Sequence, residues 1–171
     1  AIHFSDQLSR IARAQESDAV LVRLGREAHE YALVVAKLSL HAATCILSLL
    51  EEELKVESQE IRLQSIQTLA QIFNHHQNKL SSLQSLWSGW LGRRNDKVAR
   101  CRIAWIRGAL EIFNSATRGN NQTVCEQILP LVLERLQDPD EKVRLATLHS
   151  ISSELLPISR SIKCTLENLI E

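Results

Sequence analysis

The sequence repeats with a period of about 40 residues, and this constrains the fold more than any local motif. Ile61-Arg62-Leu63 returns 40 residues on as Cys101-Arg102-Ile103 and, after 42 more, as Val143-Arg144-Leu145. Behind each triplet the same helix face follows at i, i+3, i+4 and i+7: Ile66, Leu69, Ala70 and Phe73, then Ile106, Ala109, Leu110 and Phe113, then Leu148, Ile151, Ser152 and Leu155. A unit of this size cannot bury its apolar face alone. Neighbouring units must therefore stack into one continuous core, leaving a ridge of turns and a curved surface.

Each of these helices is preceded by another apolar helical segment: Ile46 to Leu54, Leu83 to Leu91, and Ile128 to Leu136. The unit is thus helix, tight turn, helix. In the third turn Asp138 is expected to cap, with Pro139 at the first helical position and Glu141 completing a capping box. Asp96 lies 42 residues earlier and is expected to cap in the same way, with Ser58 doing so in the first unit. Gly119, Asn120 and Asn121 form the clearest break, with 78–82 a weaker one, and both fall between units. The expected organisation is an atypical helical segment or degenerate repeat over 1–40, then repeats at 41–77, 78–118 and 122–156, and the first helix of a further unit at 158–171. Val22-Arg23-Leu24 hints at a repeat within the first segment, although Gly25 and its charged surroundings weaken the pattern.

Composition narrows the functional classes. Hydrophobic residues make up 44%, with only 5 Gly and 3 Pro, which argues against disorder, collagen-like sequence and a turn-rich β-sandwich. Lys and Arg total 20 against 20 Asp and Glu, so no bulk charge favours nucleic acid or an anionic membrane. The apolar stretch from Leu38 to Leu50 is too short to span a bilayer. Ala1 to Ser9 lack the features of a signal peptide, and a chain starting at Ala1 is expected to be a slice of a longer parent. Cys45, Cys101, Cys125 and Cys164 form no CxxC pair and are expected to be free thiols, mostly buried.

A helix-turn-helix repeat of this period, with aspartate near the turn and a Val-Arg-like pair starting the second helix, resembles the HEAT class of α-solenoid. The expected fold class is therefore all-α, a right-handed α-α superhelix of HEAT repeats. The run from Leu86 through Trp87, Trp90, Arg93 and Arg94 to Lys97, the stretch Arg102 to Trp105, and Leu136 to Arg144 are similar to the cohesin-associated sister-chromatid cohesion proteins of the precocious-dissociation-of-sisters family, in a fungal version. Ile46 to Phe73 also fits, so the resemblance covers about 42 to 156. It implies a middle slice of a hook-shaped scaffold that binds the kleisin subunit of cohesin and influences whether the ring stays on chromatin. It also implies contacts with the wings-apart-like releasing factor and the cohesin acetyltransferase, a nuclear, chromosome-associated location, and no enzymatic role or cofactor.

Charged residues offer the candidate sites. Arg62, Arg102 and Arg144 share the repeat's arginine position and are expected to reach turn acids such as Asp96 and Asp138, or helix-end carbonyls, of a neighbouring unit. Arg93, Arg94, Lys97 and Arg100 lie in or beside a turn. They read either as a solvated edge or as a site for an acidic peptide, an inositol polyphosphate or a nucleic-acid backbone. The acids Glu51, Glu52, Glu53, Glu57 and Glu60 stand one repeat away, either as a solvated helix end or as an acidic docking strip. Trp87 and Trp90 share a face, which suits the core, with an exposed Trp90 anchoring a partner as the alternative. The adjacent His75 and His76 lack nearby metal ligands and read as solvated. No nucleophile-base order or phosphate loop occurs. A HEAT-like glycosylase would need an acid facing a base pocket, and none stands out. The rival to the scaffold is a direct nucleic-acid module using the basic 93–107 segment.

Overall fold

The computed structural model describes the backbone of residues 19–154 and side chains from 25 to 152. The helix expected over 158–171, Leu155, Cys164 and the first eighteen residues lie outside the described residues. Seven α-helices occur among the described residues, with no strand: α1 (Ala19–Leu38), α2 (Thr44–Glu53), α3 (Gln59–His75), α4 (Gln84–Gly92), α5 (Ala99–Arg118), α6 (Gln122–Leu133) and α7 (Glu141–Glu154). The pairs α2–α3, α4–α5 and α6–α7 are the helix-turn-helix units. Their second helices form one row, α3 on α5 and α5 on α7, while α2 packs against both α3 and α4. α1 packs on α3 as α3 packs on α5. It therefore takes the place of a preceding unit's second helix, running unbroken through Gly25 and burying Ala28, Ala32 and Ala36 at four-residue steps.

The turns share one geometry. α4 ends in a 3₁₀ turn over Arg93–Asn95, α6 in another over Glu134–Gln137, and each is followed by an extended aspartate: Asp96 at φ −56°, ψ 142° and Asp138 at φ −60°, ψ 140°. Each aspartate holds its own turn, Asp96 accepting the Val98 N–H (2.9 Å) and Asp138 that of Asp140 (3.0 Å). Neither is the helix cap. Val98 precedes α5 without a side-chain cap, and the Asp140 carboxylate receives the Lys142 N–H at 2.8 Å at the start of α7, with Pro139 outside the helix. Ser58 also makes no side-chain cap bond. The expected capping roles fail because the two aspartates face arginines of the preceding unit.

Between the second and third units the chain turns on Asn120, whose φ of 54° lies in the left-handed region. Asn121 N–H bonds back to Ala116 O (2.8 Å) and Asn120 N–H to Thr117 O (3.3 Å), the paired bonds of a Schellman termination. Asparagine tolerates this conformation better than most side chains, and Gly119 stays at negative φ.

An aromatic cluster fills the junction of α3, α4 and α5. Trp87 stacks on Trp90 (centroids 5.3 Å), Phe73 meets both edge-on at 5.0 and 5.6 Å, and Trp105 lies 5.7 Å from Trp90. Close approach of α3 and α5 requires Gly108, where a methyl group would come within 2.5 Å of the Ala70 Cβ. Leu148 holds the position at which Ile66 and Ile106 are fully buried, yet is 55% exposed.

Candidate partner-binding surface

The repeat arginines are the bolts between units. Arg62 donates from Nε and Nη2 to both oxygens of Asp96 (2.9 and 3.0 Å), while its Nη1 holds the carbonyls of Val56 and Glu57 in its own turn. Arg102 repeats this one unit on: Nε and Nη2 reach both oxygens of Asp138 (2.9 and 2.8 Å), and Nη1 holds Asp96 O. Arg144 makes the own-turn half of the pattern, from Nη1 to Asp138 O and Pro139 O, at the surface. One guanidinium thus joins the turn of its unit to the aspartate of the next, through the bidentate geometry that suits arginine to carboxylates.

Electrostatics follow from this geometry. Burial pushes both aspartates up, but the arginine hydrogen bonds, a turn N–H and the charges of Arg62 and Arg93, or of Arg102 and Arg135, outweigh it and hold both below the ordinary 3.8. Their stabilising contribution is therefore complete above the unfolded value and is lost as pH falls through it toward the lower folded value. The urea midpoint of the chain is expected to hold its aspartate contribution near pH 7 and to fall below about pH 4. An Asp96→Asn/Asp138→Asn double variant should show a shallower fall, and equal slopes would contradict the assignment.

The basic segment is occupied in the same way. Arg93 donates to Leu54 O (2.8 Å) and lies 3.5 Å from Asp96; Arg94 donates to Leu91 O and faces Glu134 at 3.6 Å. Lys97 pairs with Glu57, and Arg100 with Glu60 at 2.8 Å, each exactly one 40-residue period away. Arg93 and Arg94 are partly buried in unit-to-unit contacts, whereas the side chains of Lys97 and Arg100 are 61% and 66% exposed. Exposed pairs of this kind add little to stability, because water and salt screen them.

The acids are likewise engaged. Glu51 accepts from Ser85 Oγ (2.8 Å), Glu52 pairs with Lys55, and Glu53 is buried, in contact with Ser65 Oγ and 3.2 Å from His29 Nε2. Trp90, taken above as an alternative partner anchor, has no exposed surface and donates its indole N–H to Ile66 O at 3.0 Å. It cannot serve as an anchor. His76 is tied to Ala36 O (2.8 Å), and no group of potential metal ligands occurs among the described residues. Cys101 is buried, which pushes its thiol up to about 11; Cys125 is half-buried and Cys45, against expectation, exposed.

The family described as "Sister chromatid cohesion protein PDS5 protein" matches residues 1–171. The chain belongs to the PDS5 family. Fission yeast pds5 is 33% identical over 124 residues, covering 69% of this chain, and human PDS5 homolog B is 26% identical over 150 residues, covering 87%. The chain spans about a tenth of the length of these relatives. A chain from the solved structure described as "Structure of the Pds5-Scc1 complex and implications for cohesin function" superposes with a TM-score of 0.74 at 15% identity, over 88% of this chain and 23% of that one. The PDS5 chain is thus an all-α HEAT-repeat solenoid.

Two contributors to this PDS5 solenoid escaped the sequence reading. Arg135 repeats Arg93 at an offset of 42: it lies 3.3 Å from Asp138 and donates to Arg94 O, as Arg93 does with Asp96 and Leu54 O. The recurring Arg-x-x-Asp, 93 to 96 and 135 to 138, was the available signal. The other is His29, which joins α1 to α3 by Nδ1 to Thr68 Oγ1 (3.0 Å), and nothing in its poorly periodic neighbourhood marked it.

Proposed function

We propose that this chain is a non-enzymatic part of a cohesin-regulating scaffold, nuclear and chromosome-associated, which binds the kleisin subunit and the wings-apart-like and acetyltransferase regulators that control sister-chromatid cohesion. The observation that carries the reading is the family match over the whole chain, supported by its likeness in fold to a chain of the solved Pds5-Scc1 complex. A stacked solenoid suits the task because it offers a long, pre-formed surface to a flexible ligand. Lys97 and Arg100 are exposed but already paired with the carboxylates of Glu57 and Glu60 one repeat back, so a partner acid would first have to displace them.

Binding directly to nucleic acid through 93–107 has less support, since Arg93, Arg94, Lys97, Arg100 and Arg102 all bond to groups within the fold. Titrating the chain with overlapping kleisin peptides and with duplex DNA, at about 50 and 200 mM salt, separates the two. Saturable binding of a kleisin segment with a shallow salt dependence is expected. Salt-steep DNA binding without any kleisin binding would reverse the assignment.

A further inference from the structure

An open trough of 680 Å³ lies between α4 and α6, lined also by residues of the 3₁₀ turn Gln77–Leu83 and of the Gly119–Asn121 loop. Its volume lies within the ~300–1,000 Å³ typical of ligand sites. Fourteen residues line it and none is charged. In a chain with 23% charged residues, whose neighbouring turns carry paired acids and bases, a neutral surface of this extent is selective. It disfavours phosphates, acidic peptides and basic peptides alike, because a charge brought there would lose water without meeting a counter-charge.

What the trough offers instead is carboxamide. Asn78, Gln84 and Asn120 line it with side chains that make no hydrogen bond to the described residues. Gln127 is held in place: its Oε1 accepts the Trp87 indole N–H at 2.9 Å across the two units, which leaves its NH₂ as a donor. A carboxamide donates and accepts at once, the complement of a peptide group with its N–H and C=O. Leu80, Leu91 and Val124 supply an apolar floor. A sugar would call for an exposed aromatic face, but Trp87 is only 5% exposed, stacked on Trp90 and met by Phe73.

We infer that this trough is a peptide site: it takes an extended, uncharged segment, gripped through its main chain by the carboxamides, with an apolar side chain on the floor. The inference rests on the kleisin-binding reading and assigns the kleisin segment to this trough rather than to the charged turns. The test uses the full-length protein, with overlapping fifteen-residue kleisin peptides as probes and fluorescence anisotropy on any that bind. Gln84→Glu/Gln127→Glu keeps the acceptor that Trp87 needs and makes the trough acidic; Ser88→Tyr fills it from an exposed position on its wall. Either variant, with its unfolding midpoint unchanged, is expected to weaken binding of the peptide at least tenfold, while Lys97→Glu/Arg100→Glu changes it less than twofold. Unchanged or tighter binding to the trough variants, or loss confined to the Lys97/Arg100 variant, would overturn the trough assignment. If no kleisin peptide binds even the parent protein, it is the kleisin reading that fails, and this inference with it.

Discussion

Replacing Trp90 by alanine is expected to destabilise the chain by about 3–5 kcal/mol, the usual cost of truncating a large buried aromatic. Trp90 has no exposed surface and touches the rings of Phe73, Trp87 and Trp105, so three helices lose their common filler at once. Collapse into the void is limited on the α3–α5 side, where Gly108 and Ala70 already bring the backbones close. Trp90→Phe retains most of the volume but loses the bond to Ile66 O, and should cost markedly less. Urea unfolding followed by far-ultraviolet circular dichroism measures both. A loss below about 1 kcal/mol for Trp90→Ala would mean that the cluster is not the packing centre of the second unit.

Asp138→Ala should be comparably severe, at about 3–5 kcal/mol, for a different reason. Both carboxylate oxygens serve Arg102, and one also receives the Asp140 N–H, so the substitution leaves a largely buried guanidinium with only Asp96 O and opens the third turn. Neutralisation without loss of shape, Asp138→Asn, should fall between the variant and the parent. By contrast, Glu57→Ala removes an exposed, solvent-screened partner of Lys97 and should leave the urea midpoint nearly unchanged. Burial, rather than the number of ion pairs, decides which charges hold the repeats together.

Much of this architecture is legible in the sequence because a solenoid's contacts recur at its own period. Arg62, Arg102 and Arg144 stand in register, and their bonds to Asp96 and Asp138 follow from the same spacing. Trp87 and Trp90 share a face because they are three residues apart on one helix. The residues 93–100 look like a basic patch only when read along the chain. Their partners lie one period back, Glu57 for Lys97 and Glu60 for Arg100, and neutralise them in space. The capping roles were misread because Asp96 and Asp138 have two possible duties, and bidentate arginine contact with the preceding unit wins over a helix terminus. The neutral trough has no sequence signature, since α4, α6 and two separate loops contribute to it.

The claim that buried arginine–aspartate bonds join successive repeats is tested most directly by a double-mutant cycle at Arg102 and Asp138. Arg102→Leu, Asp138→Leu and the double variant would be compared with the parent by urea unfolding. Asp138→Leu leaves the buried Arg102 guanidinium with only Asp96 O, Arg102→Leu leaves the buried Asp138 with only Arg135 and the Asp140 N–H, and the double change removes both members of the pair. The double variant should therefore lose at least about 2 kcal/mol less than the sum of the two single losses. Losses that add to within about 0.5 kcal/mol would show that the two side chains act independently, and would contradict the account.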